Sequence, residues 1–140
     1  KALLLTGTTP VMMTVRDLGV AMNALFEHGE AEGREVYLYG RNGGGVAALY
    51  YGLLDERLAG VIMDGAPASH ADGAPIIGVL RTLDIPHAAG LMAPRKIALV
   101  NCGHTAWTWL SRVYERLGCP KRSMLATDRR EAVEKILACD

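Results

Sequence analysis

Two hydrophobic periods alternate along this chain and predict strands and helices in turn. Short apolar runs bounded by glycine or polar residues are typical of strands buried in a parallel sheet. Five such runs occur: "KALLLTG" (1–7), "EVYLYG" (35–40), "AGVIMDG" (59–65), "RKIALVN" (95–101) and the weaker "SMLAT" (123–127). Strands that alternate with helices indicate an α/β fold with a mostly parallel sheet of about five strands flanked by helices.

The segments between and after these runs have apolar residues three and four positions apart, as amphipathic helices do. They predict helices over 15–29, 44–58, 105–118 and 128–140, the last with Asp128 as its N-cap. The first carries a single apolar stripe made by Val15, Leu18, Met22, Leu25 and Phe26. A loop-rich passage from 66 to 94 contains helical pieces at 74–84 and 85–92.

The stretch "VYLYGRNGGGVAALYYG" (36–52) is the strongest chemical signal, because a strand there turns into a helix through a glycine cluster. The spacing matches G-x-S-x-G, the turn that presents a catalytic serine in many hydrolases. Gly40 and Gly44 occupy the small positions of that pattern, and Asn42 occupies the serine position. Asparagine tolerates a positive φ, which such a turn demands, but its amide is a very poor nucleophile.

Two other interpretations of the turn remain open. The amide of Gly43 is a candidate oxyanion donor, and with Gly44 and Arg41 it would also suit a small anion at a helix N-terminus. The turn lacks the Lys-Ser or Lys-Thr pair of a P-loop and does not read G-x-G-x-x-G. Alternatively, the glycines serve only to let strand and helix pack closely.

A longer stretch around the turn, "YGRNGGGVAALYYGLLDERLAGVIMDGAP" (39–67), resembles the elbow, following helix and sixth strand of an α/β-hydrolase. The stretch "GVLRTLDIPHAAGLMAPRKIALVN" (78–101) resembles the acetyl-xylan esterase and dienelactone-hydrolase-like branch. The resemblance covers most of residues 15 to 118. It implies that 1–140 is a single α/β-hydrolase-like domain or the C-terminal half of one. A missing N-terminal portion or a partner chain would then cover the exposed flank.

The resemblance also implies where the other members of a catalytic triad belong. The place after the family's seventh strand is "NCGHTAW" (101–107), which has no carboxylate, and the place after its last strand is Thr127-Asp128, which has no histidine. Asp64 takes an alternative acid position, and His104 is the histidine nearest to a strand end. We therefore expect Asn42, Asp64 and His104 to cluster without forming a working triad.

Composition narrows the range of partners and cofactors. Fifteen basic residues balance fifteen acidic ones, which gives no reason to expect nucleic acid and leaves little charge repulsion against formation of a homo-oligomer. No apolar run approaches the ~20 residues of a membrane span. The three cysteines, Cys102, Cys119 and Cys139, lack a zinc-like spacing and are expected to be free thiols, which favours a reducing compartment. No metal or cofactor is predicted, and the chain begins at Lys1, so an upstream portion is expected.

Three functions are consistent with these features. The leading prediction is an α/β-hydrolase-like domain without hydrolytic activity, acting as a structural or interaction module of a larger chain or assembly. The second is a carboxylic-ester hydrolase with displaced chemistry, in which Cys102 or Ser69 acts as nucleophile beside His104 or His70. The third is a small-anion binding module at the glycine turn.

Overall fold

A computed structural model describes residues 7–103 and 105–139 and shows an α/β architecture. The described sheet is entirely parallel, and its order follows the chain: β1 (Val36–Arg41), β2 (Leu58–Asp64), β3 (Lys96–Val100) and β4 (Ser123–Ala126). Five α-helices among the described residues flank it: α1 (Pro10–Glu27), α2 (Gly43–Leu54), α3 (Ile85–Gly90), α4 (Thr108–Arg116) and α5 (Arg129–Ala138). None of the described helices is long and apolar enough to cross a membrane.

The two faces of the sheet carry different numbers of helices. Side chains alternate along each strand, so Val61 and Met63 of β2 face one way and Ile62 faces the other. The first face holds the main core, which α2, α3 and α4 cover, while α1 packs on the outside of α2. The second face is covered by α5, whose Ala132 and Ile136 pack on Ile62. The four strands therefore form the middle layer of a three-layer domain.

An ion pair between the buried Asp55 and the partly exposed Arg57 joins α1, α2 and β2. The carboxylate of Asp55, just after α2, accepts hydrogen bonds from the Tyr51 hydroxyl at 2.6 Å and from Nε and Nη2 of Arg57 at 2.8 and 2.7 Å. The Arg57 guanidinium also lies 4.3 Å from the ring centre of Phe26 and donates to Asn23, both in α1. These contacts hold the pKa of Asp55 far below its usual range, mainly through the Arg57 hydrogen bonds.

Most of the predicted elements are confirmed, but their limits differ. The first helix begins at Pro10 instead of residue 15, because Thr9 caps it and proline suits the first turn. The predicted helical piece at 74–84 is wrong: only a 3₁₀ turn at Val79–Arg81 forms there, since Ala74 and Gly78 have φ of 52° and 77°. Apart from Gly7, the predicted strand at 1–7 lies outside the described residues, so four of the five predicted strands are observed.

Candidate functional site

Asn42 lies at the point where β1 turns into α2, and its backbone has φ 50° and ψ −125°. Its N–H donates to the Asp64 carbonyl at 2.8 Å, and its own carbonyl accepts from the amide of Gly45 at 3.0 Å. The exposed side chain makes no capping hydrogen bond to α2. A non-glycine residue in this backbone region is strained, and such strain commonly persists at functional turns. The positive φ predicted for Asn42 is therefore confirmed.

Two glycines around Asn42 are required by sterics: Gly40, as the sequence pattern predicts, and Gly45 instead of Gly44. A Cβ on Gly40 would lie 2.5 Å from the carbonyl carbon of Gly44 and 2.6 Å from the amide nitrogen of Gly45. A Cβ on Gly45 would lie 2.9 Å from the Gly40 carbonyl oxygen. A Cβ on Gly44 would meet nothing within 4 Å. The need for a residue without a Cβ was expected at Gly44 but is found at Gly45, because Gly45 is the residue of α2 that contacts β1.

The side chain of Asp64 is bound to groups other than Asn42. Alternation along β2 places it on the same face as Ile62, the face that α5 covers. Its Oδ2 accepts from the Tyr39 hydroxyl at 2.7 Å, and its Oδ1 accepts from Nδ2 of Asn101 at 3.1 Å. These two hydrogen bonds lower the pKa of Asp64, so the carboxylate stays charged and occupied. Asn42 and Asp64 are close together, as expected, and the contact between them is the hydrogen bond from the Asn42 N–H to the Asp64 carbonyl.

His70 and His87 are engaged away from Asn42, and His104 lies outside the described residues. His70 is buried, and its Nδ1 lies 2.7 Å from the Ala74 carbonyl. A carbonyl can only accept, so Nδ1 carries the proton and Nε2 accepts from the Tyr50 hydroxyl at 2.9 Å. Burial raises the pKa of Tyr50 to about 12, so the hydroxyl keeps its proton as a donor. His70 thus fastens the loop after β2 to α2.

His87 has a local structural role as well. Its Nδ1 accepts from the amide of Asp84 at 3.3 Å, which closes a reciprocal cap at the start of α3. Its ring centre lies 4.9 Å from that of Trp109 in α4. Through these contacts His87 caps α3 and joins it to α4.

The two displaced nucleophiles of the esterase hypothesis gain no support from their surroundings. The Cys102 thiol donates to the Val100 carbonyl at 3.3 Å, and burial raises its pKa, which favours the protonated and less nucleophilic form. The Ser69 hydroxyl accepts from the amide of Ala71 at 3.2 Å. Both His70 ring nitrogens are already bonded elsewhere, so that ring is not placed to act as a base for Ser69.

Polar groups of the turn around Asn42 are exposed to solvent. Gly43 and Gly44 are the first residues of α2, so no carbonyl within the helix can satisfy their amides. Arg41 has a side chain that is 72% exposed, and its Nε lies 3.6 Å from Oδ2 of Asp64.

Within residues 7–103 and 105–139 no group of three or more histidine, cysteine, aspartate and glutamate side chains could hold a metal ion. Cys102, Cys119 and Cys139 form no disulfide bond with a described residue, which agrees with the prediction of thiols.

Sequence reasoning missed the two residues that bind Asp64. Tyr39 and Asp64 lie on the same face because β1 and β2 pair in parallel with Tyr39 opposite Ile62. Asn101, directly after β3, resembles Asn42 in having a φ of 50°. Side chains alternate between the two sheet faces within "EVYLYG" and "AGVIMDG". With the register of these strands known, that alternation would have indicated that Tyr39 and Asp64 lie on the same face.

The fold and the turn together define an α/β protein with an all-parallel sheet and a strained strand–helix turn at its carboxyl edge. Comparison with models of protein families, with curated proteins and with solved structures finds no match for this chain. The resemblance to α/β-hydrolases therefore stays a prediction from the sequence.

Replacing Asn42 by glycine is expected to stabilise the protein. Glycine adopts φ 50° and ψ −125° without the Cβ strain that asparagine bears there, which we expect to raise the free energy of unfolding by about 1 kcal/mol. Urea denaturation followed by circular dichroism measures the change. A destabilised Asn42→Gly variant would show that the Asn42 side chain contributes more than its backbone strain costs.

Proposed function

We propose that this chain is an α/β-hydrolase-like domain that lacks hydrolytic activity and serves as a structural or interaction module of a larger chain or assembly. The observation that supports this proposal is the strained turn at Asn42, which combines the backbone of a nucleophile elbow with a side chain that cannot attack an ester. The turn is built at a cost in strain, yet it presents no nucleophile.

The surroundings of Asn42 favour the same conclusion. Activation of a nucleophile needs a base within hydrogen-bond reach and an acid that orients the base. The carboxylate of Asp64 is bound to Tyr39 and Asn101, and the ring of His70 is bound to Tyr50 and Ala74. In the described part of the chain, neither the Asp64 carboxylate nor the His70 ring can act as acid or base for Asn42 without losing these hydrogen bonds.

Hydrolysis of p-nitrophenyl acetate tests the proposal. We expect the wild-type chain and its Asn42→Ala variant both to release p-nitrophenol no faster than the reaction without protein, because the turn offers no nucleophile for ester cleavage. Cys102→Ala provides a second comparison, since it removes the nucleophile of the esterase hypothesis. Turnover well above the Asn42→Ala variant would contradict the proposal, and turnover lost only in Cys102→Ala would favour the displaced esterase.

Binding of a small anion at the turn is the second candidate function. It is favoured by the amides of Gly43 and Gly44, which no carbonyl of α2 satisfies and which lie at the positive end of that helix beside the exposed Arg41. Phosphate or acetate at millimolar concentration should then raise the melting temperature of the wild-type chain more than that of Arg41→Ala. An equal shift in both proteins, or no shift, would leave the turn without a role in anion binding.

A further inference from the structure

One flank of the helical layer is basic and carries an exposed aromatic ring. Trp109, Arg112 and Arg116 are spaced along one side of α4 and line a shallow hollow of about 260 Å³, in which Glu115 is the only carboxylate. Residues 105–122 contain four basic residues and one acidic residue. Neither Arg112 nor Arg116 takes part in an ion pair with a described residue. We call Trp109, Arg112 and Arg116 the basic flank.

Trp109 has a fixed position on this flank although 41% of it is exposed. Its ring lies against the backbone of Gly90 in α3, where an added Cβ would be 2.8 Å from Cη2. The centre of the Trp109 ring also lies 4.9 Å from that of His87, in the same helix as Gly90. A half-exposed tryptophan held against α3, followed along α4 by two arginines that form no ion pair with a described residue, has the composition that dominates binding energy at protein interfaces.

The opposite charge is concentrated around the end of α1. Residues 27–35 contain four acidic residues and one basic residue. Glu35 is bonded to Tyr37 and pairs with Lys96, whereas exposed Glu27, Glu30 and Glu32 form no ion pair within the described ranges. We call these three residues the acidic turn.

The basic flank and the acidic turn lie at opposite ends of one helical layer. Along that layer α1 packs on α2, α2 on α3, and α3 on α4, so the two charged surfaces belong to the outermost helices. No ion pair joins the two surfaces within one molecule among the described residues, and salt screens exposed charges that are further apart than about 10 Å. A second molecule can bring the two surfaces together.

The edge of β4 offers a poorer route to self-association. Its Leu125 carbonyl accepts from Nζ of Lys135 at 2.8 Å, and the amide of Thr127 donates to Glu131 at 2.6 Å. Lys135 and Glu131 are themselves paired at 2.7 Å within α5. Backbone groups that α5 already satisfies are not available to a strand from another chain, which is one way in which proteins protect sheet edges.

We propose that the basic flank binds the acidic turn of a second copy of this chain. The inference rests on the proposed interaction role and names the partner for it. The contact is head-to-tail, because each molecule contributes a different surface to it, so repetition produces a ring or an open chain of molecules. Charge complementarity sets the orientation, and Trp109 supplies apolar contact area beside the two arginines.

Sedimentation velocity over a range of protein concentrations tests the proposal. The wild-type chain should associate in low salt, and about 0.5 M NaCl should weaken the association about tenfold by screening. Variant B (Arg112→Glu with Arg116→Glu) and variant A (Glu27→Lys with Glu30→Lys) should each associate about tenfold more weakly than wild type. A mixture of A and B should recover the association, because A retains the basic flank and B retains the acidic turn.

A matched control reverses the exposed Arg16 and Arg81 instead, with the same change in net charge as variant B. It should associate as wild type does. A wild-type chain that stays monomeric at about 0.5 mM in low salt, a control that weakens as much as B, or a mixture that fails to recover would each overturn the proposal. None of these results bears on ester hydrolysis, so the absence of hydrolytic activity is judged separately.

Discussion

Replacing Gly40 by alanine is expected to cost about 4 kcal/mol or more of unfolding free energy, a large share of the stability of a domain this size. The added Cβ would meet the backbone of Gly44 and Gly45 at 2.5 and 2.6 Å. Those backbone atoms belong to the first turn of α2, and they cannot move away from the new Cβ unless the helix separates from the sheet. Urea denaturation followed by circular dichroism should show a lower midpoint, or no folded state.

Gly44→Ala is the matched control for that substitution. It adds the same methyl group four residues away, where nothing lies within 4 Å of the new Cβ. Alanine is also the better helix former by about 1 kcal/mol, so Gly44→Ala should be neutral or mildly stabilising. Equal destabilisation by both variants would contradict the account of the turn, because the close approach of β1 and α2 would then not depend on Gly40.

Asp55→Asn should produce the second large loss, about 2 kcal/mol at pH 7. The substitution keeps the shape of the side chain but removes the charge that binds Arg57 and the Tyr51 hydroxyl. Partial exposure of Arg57 limits the cost compared with that of a fully buried pair. The free energy of unfolding in urea measures the effect, and Glu134→Gln, which removes an exposed pair with Arg130, should change it little.

The same pair predicts a pH dependence with a definite sign. The folded pKa of Asp55 lies below its unfolded value of about 3.9, so its contribution is complete above that value and is lost as pH falls toward the folded pKa. The difference in stability between wild type and Asp55→Asn should therefore be constant from neutral pH to about pH 5 and shrink in stronger acid. A difference that persists unchanged at about pH 2 would show that packing, and not charge, explains the loss.

The fold could be predicted from the sequence where hydrophobic period and burial agree. All five residues of β3 are buried and appear as one apolar run, and α5 begins directly after the predicted cap at Asp128, whose carboxylate accepts from the amide of Glu131 at 2.9 Å. The segment at 74–84 was predicted wrongly because its apolar residues have helical spacing, while positive φ at Ala74 and Gly78 prevents a helix. Backbone conformation at single residues does not appear in a hydrophobic pattern.

The backbone conformation of the candidate site could be predicted from the sequence, but the contacts of its side chains could be predicted less well. Glycine spacing around Asn42 is a local property, so the turn and its positive φ follow from the sequence. The direction of the Asp64 carboxylate depends on the register between strands that are more than twenty residues apart, as its 2.7 Å contact with Tyr39 shows. The steric role of Gly45 likewise depends on how closely α2 approaches β1.

Intact-mass spectrometry after incubation with a fluorophosphonate probe tests the central claim most directly. Such a probe bonds covalently to activated serine nucleophiles, and a turn with Asn42 in the nucleophile position offers none. The account predicts that the mass of this chain stays unchanged under conditions that fully label an active serine hydrolase. Stoichiometric addition of the phosphonyl group to the wild-type chain would contradict it.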